Sequence, residues 1–270
     1  MSLPLEVRER ALRVWGGRIT LRVKTAGSGP PLVYLHPASG LAFDPFLAAL
    51  AAEYSIFAPE VPGTSAGDPN AIHAVDGLPD LVLIYQEAIA ALQLPGAPVV
   101  MGQSFGGMLA AELASYFPDL FSKVVLSAPI GLWRPDQPVA NWMTTPAAEL
   151  PALLFKNPDC AAAKAIFTPP EDPELAVTIL SNMVWAMGCT GKFVWPIPDK
   201  GLHKRLHRLT APTLIVWGED DRLVPVAYAR EFGAAIAGSR VEVVRDAGHI
   251  PQAEQLEATL ALVRDFLGAA

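Results

Sequence analysis

The chain has 270 residues, of which 51% are apolar and 17% charged, so it can bury one large core beneath a solvated surface. Its formal net charge of −7 repels phosphate backbones, and the longest basic run is the short stretch 203–205, so we expect no nucleic-acid partner. Gly, Pro or charged residues break every apolar run well before the roughly 20 residues that a membrane span requires, so we expect no membrane association.

Short apolar or β-branched runs alternate with helical patterns along the chain, which is typical of βαβ units and a mostly parallel sheet. Strands are predicted at residues 19–24, 32–35, 55–59, 98–101, 123–127, 213–217 and 241–245. Helices rich in Leu, Ala and Glu are predicted at 45–52, 81–92, 107–116, 227–237 and 253–266. Several strands are apolar throughout, as expected when helices cover both faces of a sheet.

The alternation breaks between residues 130 and 207, where no strand is predicted. This block is rich in proline, so we interpret it as short helices joined by stiff turns. It would form a helical lid, inserted before the last two strands into a core domain of residues 1–129 and 208–270. Four of the six tryptophans lie in it, namely Trp133, Trp142, Trp185 and Trp195. These tryptophans would line the approach to a site. The alternative, which we expect for at least half of them, is that they pack the lid against the core.

The motif Gly-Gln-Ser-Phe-Gly at 102–106 lies between a predicted strand and a predicted helix. Gly-x-Ser-x-Gly in this context is typical of a nucleophile elbow. The turn is so sharp that a Cβ atom at either glycine would clash, and Ser104 would lie near the positive end of the following helix. Ser104 is therefore the candidate nucleophile, and the alternative is a glycine-rich turn without chemistry.

A serine hydroxyl needs a base to take its proton and a carboxylate to orient that base. Asp221 and His249 each follow a predicted strand, at the sheet edge where Ser104 also lies. The chain order Ser, Asp, His agrees with the nucleophile elbow. Asp220 and, more weakly, Glu219 are alternatives to Asp221. Of the other histidines, His73, His203 and His207 lack such a setting.

Taken together, these motifs resemble the α/β-hydrolase superfamily over essentially the whole chain. The superfamily's Gly-x-x-Asp-x-x-x-Pro loop matches Gly218, Asp221 and Pro225, which favours Asp221 over its neighbours, and its Gly-His pair matches Gly248 and His249. The resemblance implies a three-layer α/β/α sandwich with a mostly parallel, eight-stranded sheet. It also implies that no cofactor and no metal ion is needed.

Acyl transfer builds negative charge on an oxygen, so two backbone amides should converge beside the nucleophile. One donor would be Phe105. By resemblance, the second would come from the loop after the strand 32–35, where we nominate Ala38, with Ser39 as the alternative. Pro37 departs from the usual His-Gly pattern and has no N–H, so it would hold the loop by rigidity. His36 would brace the loop rather than act as a second base.

These residues predict a carboxylesterase-like serine hydrolase that acts on a small, largely apolar ester through an acyl-enzyme. An alternative is a hydrolase that uses the same triad to cleave a carbon–carbon bond in a diketone or dienoate. Members of that group tend to have Asn before the serine and Trp after the histidine, where this chain has Gln103 and Ile250. A third alternative is a small-molecule-binding module on the same fold.

The cellular setting follows from the termini and the cysteines. Charges interrupt residues 1–10, where a secretory signal would need a continuous apolar stretch, so we expect a cytoplasmic protein. Cys160 and Cys189 are too few for a disulfide framework, and we interpret both as reduced. The expected partner is a small-molecule substrate, and a homodimer is left open.

Overall fold

A computed structural model describes residues 5–65 and 68–268. Its strands are β1 Arg8–Val14, β2 Ile19–Ala26, β3 Pro31–Leu35, β4 Ser55–Pro59, β5 Val99–Gln103, β6 Lys123–Ser127, β7 Thr213–Gly218 and β8 Arg240–Val244. They form one sheet in the order β1-β2-β4-β3-β5-β6-β7-β8. β2 is antiparallel to both β1 and β4, and the other neighbours are parallel. The predicted eight-stranded, mostly parallel sheet is confirmed.

Helices cover both faces of the sheet. They are α1 Pro45–Leu50, α2 Leu78–Ala91, α3 Phe105–Tyr116, α4 Leu150–Leu154, α5 Ala161–Phe167, α6 Pro173–Val194, α7 Ala227–Ala235, α8 Pro251–Glu254 and α9 Leu256–Gly268. Short 3₁₀ helices lie at Pro69–Ala74, Leu202–Lys204 and Leu206–Arg208. Apolar side chains of α1 and α9 share one core cluster with the sheet, and those of α2, α3 and α7 share another. Because each face of the sheet has its own core, the fold is an α/β/α sandwich.

The sequence analysis missed β1, whose residues carry little strand signal. Only Leu12 and Val14 of this strand are buried, and its four charged side chains are exposed. β1 pairs with β2 alone and so forms an edge of the sheet. Charged residues on an edge strand discourage pairing with other chains, but they also hide the apolar alternation by which a strand is recognised.

The prediction of one helix over 253–266 was wrong, because the chain leaves helical geometry at Gln255. The ψ angle of Gln255 is 61°, and α8 ends just before it. The Gln255 side chain donates from Nε2 to the carbonyl oxygen of Asp246 at 3.0 Å. Because the helix ends here, the Glu254 side chain can reach the loop that precedes α8.

The segment between β6 and β7 contains α4, α5 and α6, and a partly buried ion pair anchors its return to the sheet. Arg205 donates to both carboxylate oxygens of Glu112 on α3, at 2.9 and 2.6 Å. Glu112 is fully buried, and burial raises its pKa while Arg205 opposes that shift. Removing either partner would leave an uncompensated buried charge or an unfilled site, so this pair fixes the end of the segment to the core.

Two further features concern the membrane and cysteine predictions made from the sequence. In the described ranges, no helix combines the length and the apolar content needed to cross a bilayer. Cys160 and Cys189 are both free thiols, the first partly exposed and the second buried.

Candidate active site

Ser104 lies at the sharp turn between β5 and α3. Its φ and ψ angles are 55° and −114°, a conformation that L-residues rarely adopt. A Cβ atom on Gly102 would lie 2.1 Å from the carbonyl oxygen of Gly106, and one on Gly106 would lie 2.0 Å from that of Leu35. Both glycines are therefore required by close backbone approach, as the motif predicts. The turn lifts Ser104 to the carboxyl edge of the sheet.

The three residues singled out by the sequence spacing meet at this edge. His249 Nε2 lies 2.8 Å from Ser104 Oγ, and His249 Nδ1 lies 2.8 Å from Asp221 Oδ2. All three are buried, with exposed fractions of 6% for Ser104, 2% for His249 and 6% for Asp221. Since a carboxylate only accepts, Nδ1 carries the hydrogen and Nε2 is free to accept from the serine hydroxyl.

The carboxylate of Asp221 is fixed by its own loop. Its Oδ1 accepts from the backbone amides of Leu223 and Val224, both at 2.9 Å, which leaves Oδ2 for the imidazole. Asp220 instead faces Lys156 Nζ at 3.2 Å, and Glu219 is exposed. Of the three neighbouring acids, only Asp221 reaches His249.

The loop that carries His249 is held by contacts that the sequence analysis did not find. The His249 amide donates to the carbonyl oxygen of Leu154 at the end of α4, and its carbonyl accepts from Gln103 Nε2 at 3.2 Å. The Glu254 carboxylate accepts from the amides of Gly248, at 2.6 Å, and Lys156, at 3.1 Å. No sequence spacing signals the contacts with Gln103 and Lys156, because they join residues 146 and 98 positions apart along the chain.

The two backbone amides nominated as oxyanion donors belong to Phe105 and Ala38. Phe105 is the first residue of α3, so its N–H has no helical acceptor. The Pro37 carbonyl accepts from Gly40 N at 3.1 Å and from His36 Nδ1 at 2.7 Å. Because the 37–38 peptide is trans, the Ala38 N–H points away from that carbonyl. Within the described residues, neither the Ala38 nor the Phe105 amide has a protein acceptor.

His36 braces this loop, as the sequence analysis expected. Its Nδ1 donates to the Pro37 carbonyl, and its Nε2 accepts from the Val61 amide at 3.0 Å. Both bonds need a neutral ring with the hydrogen on Nδ1. Burial lowers the pKa of His36, which favours that neutral form. His36 thus fixes the orientation of the peptide that carries the Ala38 amide.

A cavity of about 240 Å³ opens at Ser104 and His249. The segment between β6 and β7 supplies much of its apolar wall, through Leu150, Leu154, Ile166, Phe167, Met183 and Met187. Of the four tryptophans of that segment, only Trp142 lines the cavity. Its polar lining outside the triad comes from Tyr34, Ser39, Asp44, Gln103 and Gln252. No Lys or Arg among residues 5–65 and 68–268 lines it.

Comparison with known proteins identifies the fold family. The alpha/beta hydrolase family model matches residues 32–262. The chain belongs to this family. Its fold is that of the α/β-hydrolase superfamily.

Two curated relatives have named substrates. A 2-hydroxy-6-oxononadienedioate/2-hydroxy-6-oxononatrienedioate hydrolase from Klebsiella pneumoniae is 31% identical over 184 residues, which cover 63% of this chain and 62% of that protein. A 2-hydroxy-6-oxo-6-phenylhexa-2,4-dienoate hydrolase from Burkholderia cepacia is 27% identical over 267 residues, which cover 92% and 91% of the two chains. The match to the first relative thus spans under two thirds of its length.

Among solved structures, a bacterial membrane phospholipase A superposes with a TM-score of 0.77. It is 21% identical, and the match covers 97% of this chain and 86% of that one. At this level of identity the similarity establishes the fold alone.

Proposed function

We propose that this hydrolase cleaves small, largely apolar carboxylic esters through an acyl-enzyme on Ser104. The observation that carries this proposal is the mostly apolar cavity at Ser104, to which no described Lys or Arg contributes. The hydrogen-bonded chain from Asp221 through His249 to Ser104 supports a nucleophilic serine. This hydrogen-bonded chain also favours an enzyme over a small-molecule-binding module, because a binding module does not need an activated hydroxyl.

In the proposed mechanism, Ser104 Oγ attacks the ester carbonyl while His249 Nε2 takes its proton. Asp221 holds the imidazole in the required tautomer and stabilises its cation. The amides of Phe105 and Ala38 donate to the oxyanion. His249 then protonates the departing alcohol, which leaves Ser104 acylated. Water attacks this second ester with His249 again as base, and the acid is released.

Residues 130–207 would act as the lid of this site, over a core of residues 1–129 and 208–270. The proposal is supported by the apolar cavity wall that α4, α5 and α6 supply. A wall of this kind excludes water from the first step and admits apolar acyl groups.

The two curated relatives favour a second candidate, hydrolysis of a carbon–carbon bond in a dienoate. Their named substrates are carboxylates. A carboxylate is expensive to bury unless a cation or several hydrogen-bond donors meet it, and Arg is the usual partner. In the described cavity lining the only charged side chain outside the triad is the acid Asp44, which would repel such a group. The cavity therefore favours the neutral ester.

The two candidates can be separated by kcat/KM on three compounds: p-nitrophenyl butyrate, the monoanionic p-nitrophenyl glutarate, and 2-hydroxy-6-oxo-6-phenylhexa-2,4-dienoate. We expect the butyrate to exceed the glutarate by at least about tenfold, which corresponds to about 1.4 kcal/mol of transition-state stabilisation. The dienoate should be cleaved more slowly than the butyrate. Faster cleavage of the dienoate would instead establish the carbon–carbon hydrolase, and no turnover of any of the three would indicate a binding module.

A further inference from the structure

The proposed acid and base are carried by two neighbouring loops. The acid loop, residues 219–226, follows β7 and carries Asp221, and the base loop, residues 245–250, follows β8 and carries His249. β7 and β8 are adjacent parallel strands, so both loops leave the same edge of the sheet. A change in the spacing of the two loops would therefore change the hydrogen bond between Asp221 and His249.

Each loop carries one further carboxylate near the other loop. These carboxylates belong to Asp220 in the acid loop and Asp246 in the base loop. The Asp220 amide donates to the carbonyl oxygen of Ala247 at 2.9 Å, so the two loops are in direct contact at this point. Like charges on two loops in contact repel each other, and this repulsion acts to separate the loops.

The Lys156 ammonium contacts both of these carboxylates. Its Nζ lies 3.2 Å from Asp220 Oδ2 and also forms an ion pair with Asp246 Oδ1. Because both carboxylates contact the same nitrogen atom, they are close neighbours, and the ammonium offsets their mutual repulsion. Lys156 lowers the pKa of Asp246 more than the adjacent Arg245 does, as expected for a direct contact.

The backbone around Lys156 also touches both loops. The Lys156 amide donates to Glu254 Oε2 at 3.1 Å, and the same oxygen accepts from Gly248 of the base loop at 2.6 Å. A Cβ atom on Gly248 would lie 2.9 Å from the Lys156 nitrogen, so the two backbones are in close contact. In the acid loop, Arg222 donates from Nη1 to the Ala152 carbonyl oxygen at 2.9 Å. The segment that carries the ammonium is thus fixed against each loop.

We propose that Lys156 is a positioning residue for the hydrogen bond between Asp221 and His249. Its ammonium offsets the repulsion between the Asp220 and Asp246 carboxylates and so holds the acid loop against the base loop. Lys156 lies outside the cavity lining, so it acts through these loops and not on the substrate. The inference rests on the proposed serine mechanism, in which this hydrogen bond orients the base.

The test removes the Lys156 charge and then one of the two carboxylates. Lys156→Met should lower kcat on p-nitrophenyl butyrate about fivefold and change KM little, because the cavity lining is intact. Adding Asp246→Asn to that variant should restore kcat to within about twofold of the wild type, because the repulsion is then absent. Asn is suited to the positive φ of 55° at this position. Lys156→Arg keeps the charge and should retain most of the activity.

Lys164→Met removes an exposed lysine of α5 and is the matched control, with kcat expected to be unchanged. A second readout, which needs no turnover, is the proton NMR signal of His249 Nδ1–H. This signal lies far downfield while the proton is hydrogen-bonded to Asp221. It should broaden through exchange with water in Lys156→Met and recover when Asp246→Asn is added.

These measurements separate the inference from the proposed function. If the wild type hydrolyses the ester and Lys156→Met does so equally fast, the inference is wrong. A loss that Asp246→Asn does not restore also overturns it, because the loss would then come from the lysine stem and not from its charge. If the NMR signal changes and recovers as described but no ester is hydrolysed, the ester function fails and the positioning role of Lys156 stands.

Discussion

The backbone amide of His249 donates a hydrogen bond to the carbonyl oxygen of Leu154 at 2.8 Å. Leu154 is the last residue of α4, so the loop that carries the proposed base is tied directly to the proposed lid. Glu254 reinforces the connection, because its carboxylate accepts from amides on both sides of it, Gly248 and Lys156. The loop that carries His249 and the segment between β6 and β7 are therefore joined by a few hydrogen bonds.

Glu254→Gln should lower kcat about tenfold and change KM little, because Glu254 positions the His249 loop without lining the cavity. The measurement is steady-state kinetics with p-nitrophenyl butyrate. Glu257→Gln, an exposed neighbour on α9, should behave as the wild type. An unchanged kcat, or a loss that appears wholly in KM, would remove Glu254 from the positioning role.

Asp221→Asn should lower kcat by about 10⁴-fold, because an amide at this position no longer fixes the productive tautomer of His249. Asp220→Asn is the matched control: it removes a carboxylate one residue away that faces Lys156, and its effect on kcat should be less than about threefold. Both variants are assayed on the same ester. A larger loss of kcat in Asp220→Asn than in Asp221→Asn would instead identify Asp220 as the acid.

The stability of the fold should decrease in mild acid because of His36. Burial lowers the pKa of His36 below its ordinary value of 6.5, so below pH 6.5 the unfolded chain binds a proton that the folded protein does not. The stabilising contribution of neutral His36 to the unfolding free energy is fully present above pH 6.5. Below pH 6.5 it decreases by up to about 1.4 kcal/mol per pH unit.

Urea unfolding at pH 7.5 and 5.5 measures this effect. The loss of stability between the two pH values should be smaller in His36→Asn than in the wild type, and unchanged in His73→Asn, which alters an exposed histidine. An equal loss in the wild type and His36→Asn would show that His36 does not titrate as described.

Gly106→Ala should destabilise the protein by about 3 kcal/mol or more, because the new methyl group would overlap the backbone of Leu35. Gly188→Ala, in α6, places a methyl group where no atom beyond its chain neighbours and the local helix backbone lies within 4 Å, and it should stabilise the helix by up to about 1 kcal/mol. Chemical denaturation gives both values. A Gly106→Ala protein as stable as the wild type would contradict the described turn.

Residues with local signatures could be predicted from the sequence. Ser104 is marked by two glycines at fixed spacing and by the strand and helix around it, and Asp221 and His249 each follow a predicted strand in the required order. The sheet was predictable for the same reason, since its central strands are rich in buried apolar residues. β1 was not, because an exposed edge strand lacks that signal.

The supporting residues could not be predicted, because their function depends on distant segments. Glu254 accepts from the Lys156 amide 98 positions away, and Gln103 donates to the His249 carbonyl 146 positions away. Asp44 did carry a local signal, an Asp-Pro pair at the start of a helix, and this signal indicates the helix cap that the structure shows. Contacts between segments that are far apart in the sequence can be recognised only in the three-dimensional structure.

The most direct test of the central claim, that Ser104 is an activated nucleophile, is intact-mass spectrometry after treatment with a fluorophosphonate, followed by peptide mapping. We predict one adduct, on Ser104, in the wild type and none in Ser104→Ala, whose kcat on p-nitrophenyl butyrate should fall by at least about 10⁴-fold with its fold retained. An adduct on another residue, or near-native turnover by Ser104→Ala, would contradict the account.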